Sequence, residues 1–310
     1  MNVHMDVIKK LNNKTVIRGR IYKLYNMTDL LNVAYENKFA IGAFNVANSE
    51  FVKVVIDAAE AQNSPAIIQI HPLEINLIED DFIAYVREAV KNSKIPMAIH
   101  LDHGGNLQDV VRAIRNGYTS VMIDASHLSY EENIEITKKF VEIAHAVNVS
   151  VEAELGTIGV NEGSGEGGSE DILYTDPKQA AEFVKKTGID TLAVAIGTSH
   201  GIYPKTKEHS IKIDRLKEIR KQVSIPLVLH GGSDNADDEI RETAKNGVAK
   251  INLASDMKRA FYRQLQKTLN DKPNDYESFI VIPEATKVAT ELVKKKMDLF
   301  GSTEKAQLYK

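Results

Sequence analysis

Met97-Ala98-Ile99-His100-Leu101-Asp102-His103-Gly104-Gly105 is an apolar run that stops in an acid, an imidazole and two glycines. A short apolar run of this kind reads as a buried strand, and the switch to ionisable residues at its carboxyl end places them on the open face of an α/β fold. That face is where such folds keep their chemistry. The pattern returns twice. Thr191-Leu192-Ala193-Val194-Ala195-Ile196 runs into Gly197-Thr198-Ser199-His200-Gly201, and Pro226-Leu227-Val228-Leu229 runs into His230-Gly231-Gly232-Ser233. His103, His200 and His230 thus stand at strand ends, and they converge on one metal ion if the strands belong to one closed sheet.

Outward from this stretch, β-branched and apolar runs alternate with amphipathic ones. The spacing predicts strands over Ile41 to Val46, Ala66 to Ile70, Met97 to Asp102, Ser120 to Asp124, Ser150 to Leu155, Thr191 to Ile196, Pro226 to His230 and Val248 to Leu253. Between them, Glu50 to Gln62, Phe82 to Lys91, Leu107 to Asn116, Asn133 to Val147, Pro177 to Thr187, Ile213 to Gln222 and Asp237 to Asn246 carry apolar residues at helical spacing. Parallel strands need crossovers and these helices supply them, so the expected fold is an α/β, single (β/α)8 TIM barrel. An open doubly wound sheet is the alternative, but its glycine-rich dinucleotide turn after the first strand is missing. Ala254 to Asn270 and Glu284 to Leu299 add C-terminal helices beyond the barrel.

The chain of 310 residues is long enough for one such domain, and 43% hydrophobic residues support a sizeable core. A net charge of -4 gives no reason to expect nucleic acid or an acidic membrane as partner. No run approaches a transmembrane span. Without cysteine there are no disulfides and no thiolate metal ligands, which fits a cytoplasmic enzyme. Residues 1–26 hold Lys9, Lys10, Lys14, Arg18, Arg20 and Lys23 against a single acid, Asp6, and read as a basic, solvated extension preceding a 27–310 barrel domain. Gly156 to Asp171, with Gly159, Gly163, Gly165, Gly167 and Gly168 among Glu162, Glu166, Glu170 and Asp171, has no apolar face and reads as a mobile active-site loop.

Five ordered motifs carry a resemblance. His100-Leu101-Asp102-His103-Gly104, Val121 to Asp124 with Ser126-His127, Glu152-Ala153-Glu154-Leu155-Gly156-Thr157-Ile158-Gly159, Ala195 to Gly201 and Leu229 to Ser233 resemble, in order and spacing, the class II zinc-dependent ketose-bisphosphate aldolases, a group that includes fructose- and tagatose-bisphosphate aldolases. The likeness runs from about Thr28 to Ser302. It implies that His103, His200 and His230 bind a catalytic Zn2+, with Asp102 as the acid/base on the sugar hydroxyl beside the cleaved bond. Asp124 and Glu154 stand where some members hold a second metal position, and Glu162 where the family keeps the acid/base for the triose carbon. Gly201, the Gly231-Gly232-Ser233 turn, Asn252, Ala254 and Ser255 match phosphate and triose contacts, and Asn45 a substrate-side asparagine. Lys205 lies near enough to His200 in sequence to add charge there. A monovalent cation is used by some relatives, and dimers or tetramers are usual.

These residue types suit the reaction. Cleaving a ketose leaves an enediolate, whose negative charge a Lewis-acid metal stabilises. Three neutral imidazoles leave such a metal its full charge and an open position. The partners implied are phosphorylated ketoses and triose phosphates. Three features depart from the family pattern: His71 replaces a small hydroxyl residue, Val160 a common glycine, and Ala254 an acid or amide of many fructose enzymes, the last resembling the tagatose branch. An aldolase for another phosphorylated keto sugar, a zinc hydrolase and a non-catalytic companion barrel are the competing readings. His100, His127, His145 and His209 are expected to be structural.

Overall fold

The computed structural model of the chain describes residues 24–161, 168, 172–203 and 210–309, together with the backbone of 16–17 and 20–21. The expected strands form: β1 Ile41–Asn45, β2 Ala66–Ile70, β3 Met97–Gly104, β4 Ser120–Ile123, β5 Ser150–Leu155, β6 Thr191–Val194, β7 Leu227–Leu229 and β8 Val248–Leu253. All pair in parallel in sequence order, and β8 closes on β1 with Asn252 opposite Ala43. The fold is a (β/α)8 barrel.

Side chains alternate across each strand, so residues two apart share a face. Ala153 and Leu155 of β5 lie in the apolar layer between sheet and helices, which leaves Glu152 and Glu154 facing the interior. The same parity turns Asn45, Gln69, Asp102, Lys250 and Asn252 inward. The barrel's floor is apolar. There α1, Met27–Glu36, packs Met27, Leu30, Leu31 and Ala34 against Ile41, Ala43, Ile67, Ala98 and Ala249, with Tyr309 donating to the Leu30 carbonyl at 2.9 Å.

Neither α1 nor the two short helices, α3 Pro72–Ile78 and α11 Ser278–Val281, are among the helices that apolar spacing predicts. The others start and end within a few residues of their predicted bounds, including α2 Ser49–Ala61, α10 Ser255–Asp271 and α12 Pro283–Phe300. Most of the basic extension falls outside the described residues. At its end Tyr25 donates its N–H to the Met97 carbonyl at 2.8 Å and the Asn26 side chain caps α1, so these two residues are part of the folded unit.

The first part of the glycine-rich connection is regular. Gly159–Val160 pairs in parallel with Ser199–His200, and Asn161 donates its N–H to the His200 carbonyl at 2.9 Å. Residues 162–167 and 169–171, on which the expected mobile loop and Glu162 fall, lie outside the described residues.

Candidate active site

Two neighbouring strand residues normally point to opposite faces. Asp102 and His103 both reach the barrel mouth because the register of β3 against β4 shifts between Leu101 and Gly104, and His103 adopts a φ of +48°. A left-handed φ is strained for a non-glycine residue, and such strain collects where a side chain must be aimed. Gly104 follows because a Cβ there would sit 2.6 Å from the Met122 carbonyl oxygen.

Asp102 is 1% exposed and is held by amides from three other strands. Its Oδ2 accepts from Asn45 Nδ2 at 2.7 Å and Gln69 Nε2 at 3.2 Å, and its Oδ1 accepts from Asn252 Nδ2 at 3.1 Å. Burial alone would push this carboxyl up, but His103, Lys250 and His230 outweigh it and hold the group well below the usual carboxylate range. Asp102 is therefore ionised, with both oxygens aimed by the three amides.

The three histidines converge. Ring centroids of His103 lie 5.0 Å from His200 and 4.7 Å from His230, and one nitrogen of each ring falls within 4.8 Å of the others. His103 Nδ1 lies 2.8 Å from Asp124 Oδ2, and His230 Nε2 lies 2.8 Å from Glu152 Oε1. Among the described residues, the opposite nitrogens, His103 Nε2 and His230 Nδ1, are buried without a hydrogen-bond partner. Imidazoles whose far nitrogen is held by a carboxylate are the usual setting of a metal ligand. The residues present therefore fit a divalent ion bound through three nitrogens.

The electrostatics agree. Burial disfavours a charged His103, yet Asp102 and then Asp124 raise it to about 10. Burial likewise opposes ionisation of Asp124, but the His103 and Ser126 hydrogen bonds keep it low. Glu154 is different: burial and the neighbouring Asp124 carboxylate raise it well above the ordinary value, and its Oε2 has no hydrogen-bond partner. His103, Asp124 and Glu154 form a second cluster with ligand atoms within 4.8 Å. Protons on His103 and Glu154 thus offset the carboxylates of Asp102 and Asp124, and a bound cation would take over that role.

Beyond β7 and β8 the backbone forms a compact double turn. Gly231 has φ +64° and a Cβ there would meet the Ser199 carbonyl oxygen at 2.5 Å. Gly232 donates its N–H to the Asn252 carbonyl at 3.0 Å, and Ser233 Oγ accepts from the Asp256 N–H at 3.3 Å. Ala254 precedes α10 without a side-chain cap, so Ser255 and the first turn of a long helix open at this point. Gly201, at φ +91°, is buried beside His200. Lys205 and His209 lie outside the described residues.

Sequence reasoning missed Gln69, Glu152 and Lys250. Their signal was parity: each stands two residues from another inward-facing position on its own strand. His71 caps α3, its Nδ1 accepting from the Leu73 N–H at 3.1 Å, and its ring stands 6.0 Å from that of His103. His100 is structural, with Nδ1 2.8 Å from Ser120 Oγ, and burial together with Lys250 lowers it to about 3.

The family described as "Fructose-bisphosphate aldolase class-II" matches residues 25–305. The chain belongs to the class II fructose-bisphosphate aldolase family. It is 39% identical over 287 residues to a Bacillus subtilis (strain 168) protein named "Probable fructose-bisphosphate aldolase", covering 91% of this chain and 99% of that one. The YdjI aldolase of Escherichia coli K12 is 36% identical and superposes with a TM-score of 0.81, covering 91% and 99% of the two chains. The fructose-bisphosphate aldolase of Campylobacter jejuni, at 22% identity and a TM-score of 0.77, shares the fold. As a class II aldolase the chain is a carbon–carbon lyase acting on a phosphorylated sugar.

Proposed function

We propose that this aldolase is zinc-dependent and reversibly cleaves a ketose 1,6-bisphosphate, fructose or tagatose, into dihydroxyacetone phosphate and glyceraldehyde 3-phosphate. The observation that carries the reading is the convergence of His103 and His230, from the ends of barrel strands, with His200, from the short strand beyond β6, beside Asp102. A zinc ion held by these three histidines would act as a Lewis acid toward the negative charge that develops on the ketose oxygens. Zinc suits an all-nitrogen donor set with one open position, and the cluster of His103, Asp124 and Glu154, whose Oε2 has no hydrogen-bond partner, supports a second metal position.

The chain's own residues do the rest. Asp102, kept ionised and aimed by the amides of Asn45, Gln69 and Asn252, removes the proton of the hydroxyl beside the breaking bond. The electrons of that bond move onto the carbonyl side, giving an enediolate, and Glu162 delivers a proton to its carbon. Asn45, already bonded to Asp102, meets the substrate on the same side. One phosphate sits against the backbone of Gly201, Gly231, Gly232 and Ser233 and the α10 start at Asn252, Ala254 and Ser255, after the last strands, where this fold often binds phosphate. Lys205 adds positive charge there. Ala254, in place of an acid or amide, favours tagatose over fructose.

A homodimer or homotetramer fits the exposed Tyr276 and Phe279, 83% and 75% exposed, and light scattering would test it. No helix among the described residues is long and apolar enough to cross a membrane, in keeping with a cytoplasmic place of work. The decisive experiment is a coupled triose-phosphate assay of zinc-loaded protein on both bisphosphates side by side, with a chelated control. Zinc-dependent release is expected from at least one sugar. Protein that holds zinc yet releases nothing from either would overturn the substrate class.

A further inference from the structure

Barrel interiors of this kind are filled mainly by branched apolar side chains. The middle of this one holds a charge pair instead. Lys250 of β8 and Glu152 of β5 are both fully buried, and Lys250 Nζ donates to Glu152 Oε2 at 2.8 Å across the barrel. The second carboxylate oxygen, Oε1, is 2.8 Å from His230 Nε2. His100 approaches Oε2 to 3.6 Å from below the site.

Stability does not account for the pair. Withdrawing two ions from water costs several kcal/mol each, and well-packed apolar side chains of the same volume are often at least as stable. Geometry offers a better account. A neutral imidazole carries one proton, and the nitrogen that holds it cannot bind a metal, so the partner of one nitrogen decides what the other presents. Glu152, an acceptor with no proton to give, claims the N–H at Nε2. His230 Nδ1, 3.5 Å from Glu154 Oε2 against the 2.8 Å that separates Nε2 from Glu152, is then left with its lone pair, and this is the buried nitrogen without a hydrogen-bond partner on the side of His103. Lys250 holds the other oxygen and so keeps the carboxylate in the one orientation that reaches His230.

Resting on the reading of the three histidines as a metal centre, we propose that the Glu152–Lys250 pair is a positioning device. It presets both the tautomer and the ring orientation of His230 before the metal arrives. Neither residue touches the metal or the substrate.

The test is zinc affinity, measured by competition with a chromogenic chelator, for wild type and for the Glu152→Leu, Lys250→Met double variant. Removing both charges leaves no unpaired ion, although the His230 Nε2–H loses its acceptor, so the metal-free double variant is expected to fold cooperatively and to melt no more than a few degrees below wild type. Its zinc affinity is expected to fall by roughly 10- to 100-fold. A stably folded double variant that binds zinc as tightly as wild type would overturn the proposal. A second measurement needs no variant: nitrogen-15 spectra of histidine-labelled, metal-free wild type should show His230 as the Nε2–H tautomer, and an Nδ1–H tautomer would overturn the proposal equally. If wild type takes up no zinc, the metal-centre reading itself fails, an outcome distinct from either of these.

Discussion

Asn45 of β1 donates its side-chain amide to Asp102 of β3 at 2.7 Å, reaching over the intervening strand, whose Gln69 contacts both residues. The carboxylate is thus fixed in position and charge by groups that cannot accept its proton. Replacing Asp102 by Asn keeps the shape and removes the base. Cleavage should fall by about 10²- to 10⁴-fold while the circular dichroism spectrum and zinc content stay as in wild type. Normal turnover by this variant in the coupled assay would rule Asp102 out as the acid/base.

His103 gives a pH dependence whose sign is fixed by its surroundings. In metal-free protein its pKa rises from 6.5 to about 10, so the charged ring stabilises the fold fully below its ordinary pKa and that contribution is lost as pH climbs through the raised value. Zinc needs the neutral ring and must displace the proton. Zinc affinity should therefore increase with pH between those limits, with net proton release seen by calorimetry in buffers of different ionisation heat. Affinity that is flat over this range would contradict the charge assignment.

Removing the metal should abolish cleavage and lower the melting temperature, and adding zinc back should restore both. At a free zinc concentration a hundredfold above the dissociation constant the native state gains about 2.7 kcal/mol. Full activity after exhaustive chelation, with zinc shown to be absent, would exclude a metal mechanism.

Gly231 tests the turn that joins the metal site to the phosphate contacts. At φ +64°, with the Ser199 carbonyl 2.5 Å from where a Cβ would stand, alanine is opposed by both backbone and neighbour. Gly231→Ala should lose at least about 1–3 kcal/mol of stability. Because Ser199 precedes His200, it should also weaken zinc binding. Denaturant melts indistinguishable from wild type would show that the turn relaxes freely.

Much of this was legible along the chain. Periods of 2 and 3.6 are local properties, so the eight strands and most of the helices could be read from their apolar residues. Helix α1 escaped because it caps the barrel floor instead of lying along its side. Its burial of Met27, Leu30, Leu31 and Ala34 depends on Ile41, Ile67 and Ala98, which arrive from other strands. Gln69, Glu152 and Lys250 escaped for a related reason. A lone polar residue in a strand is ordinary, and its importance appears only when a second strand brings the partner within 3 Å.

By itself the sequence determined the parallel alternation of strands and helices and the placing of His103 and His230 at barrel-strand ends, whereas His200, expected at the end of β6, stands six residues beyond Val194 in a separate two-residue strand, Ser199–His200, paired with Gly159–Val160. It also determined, through the resemblance of its motifs, the aldolase family. Those features depend on order and spacing along one chain. Only the tertiary structure decided that Asp102 and His103 face the same way, because a register shift and a positive φ override the alternation that a regular strand imposes. It alone decided which nitrogen of His103 and of His230 is left open, because that choice belongs to Asp124 and Glu152, carboxylates that strand closure carries in from the end of β4 and from β5.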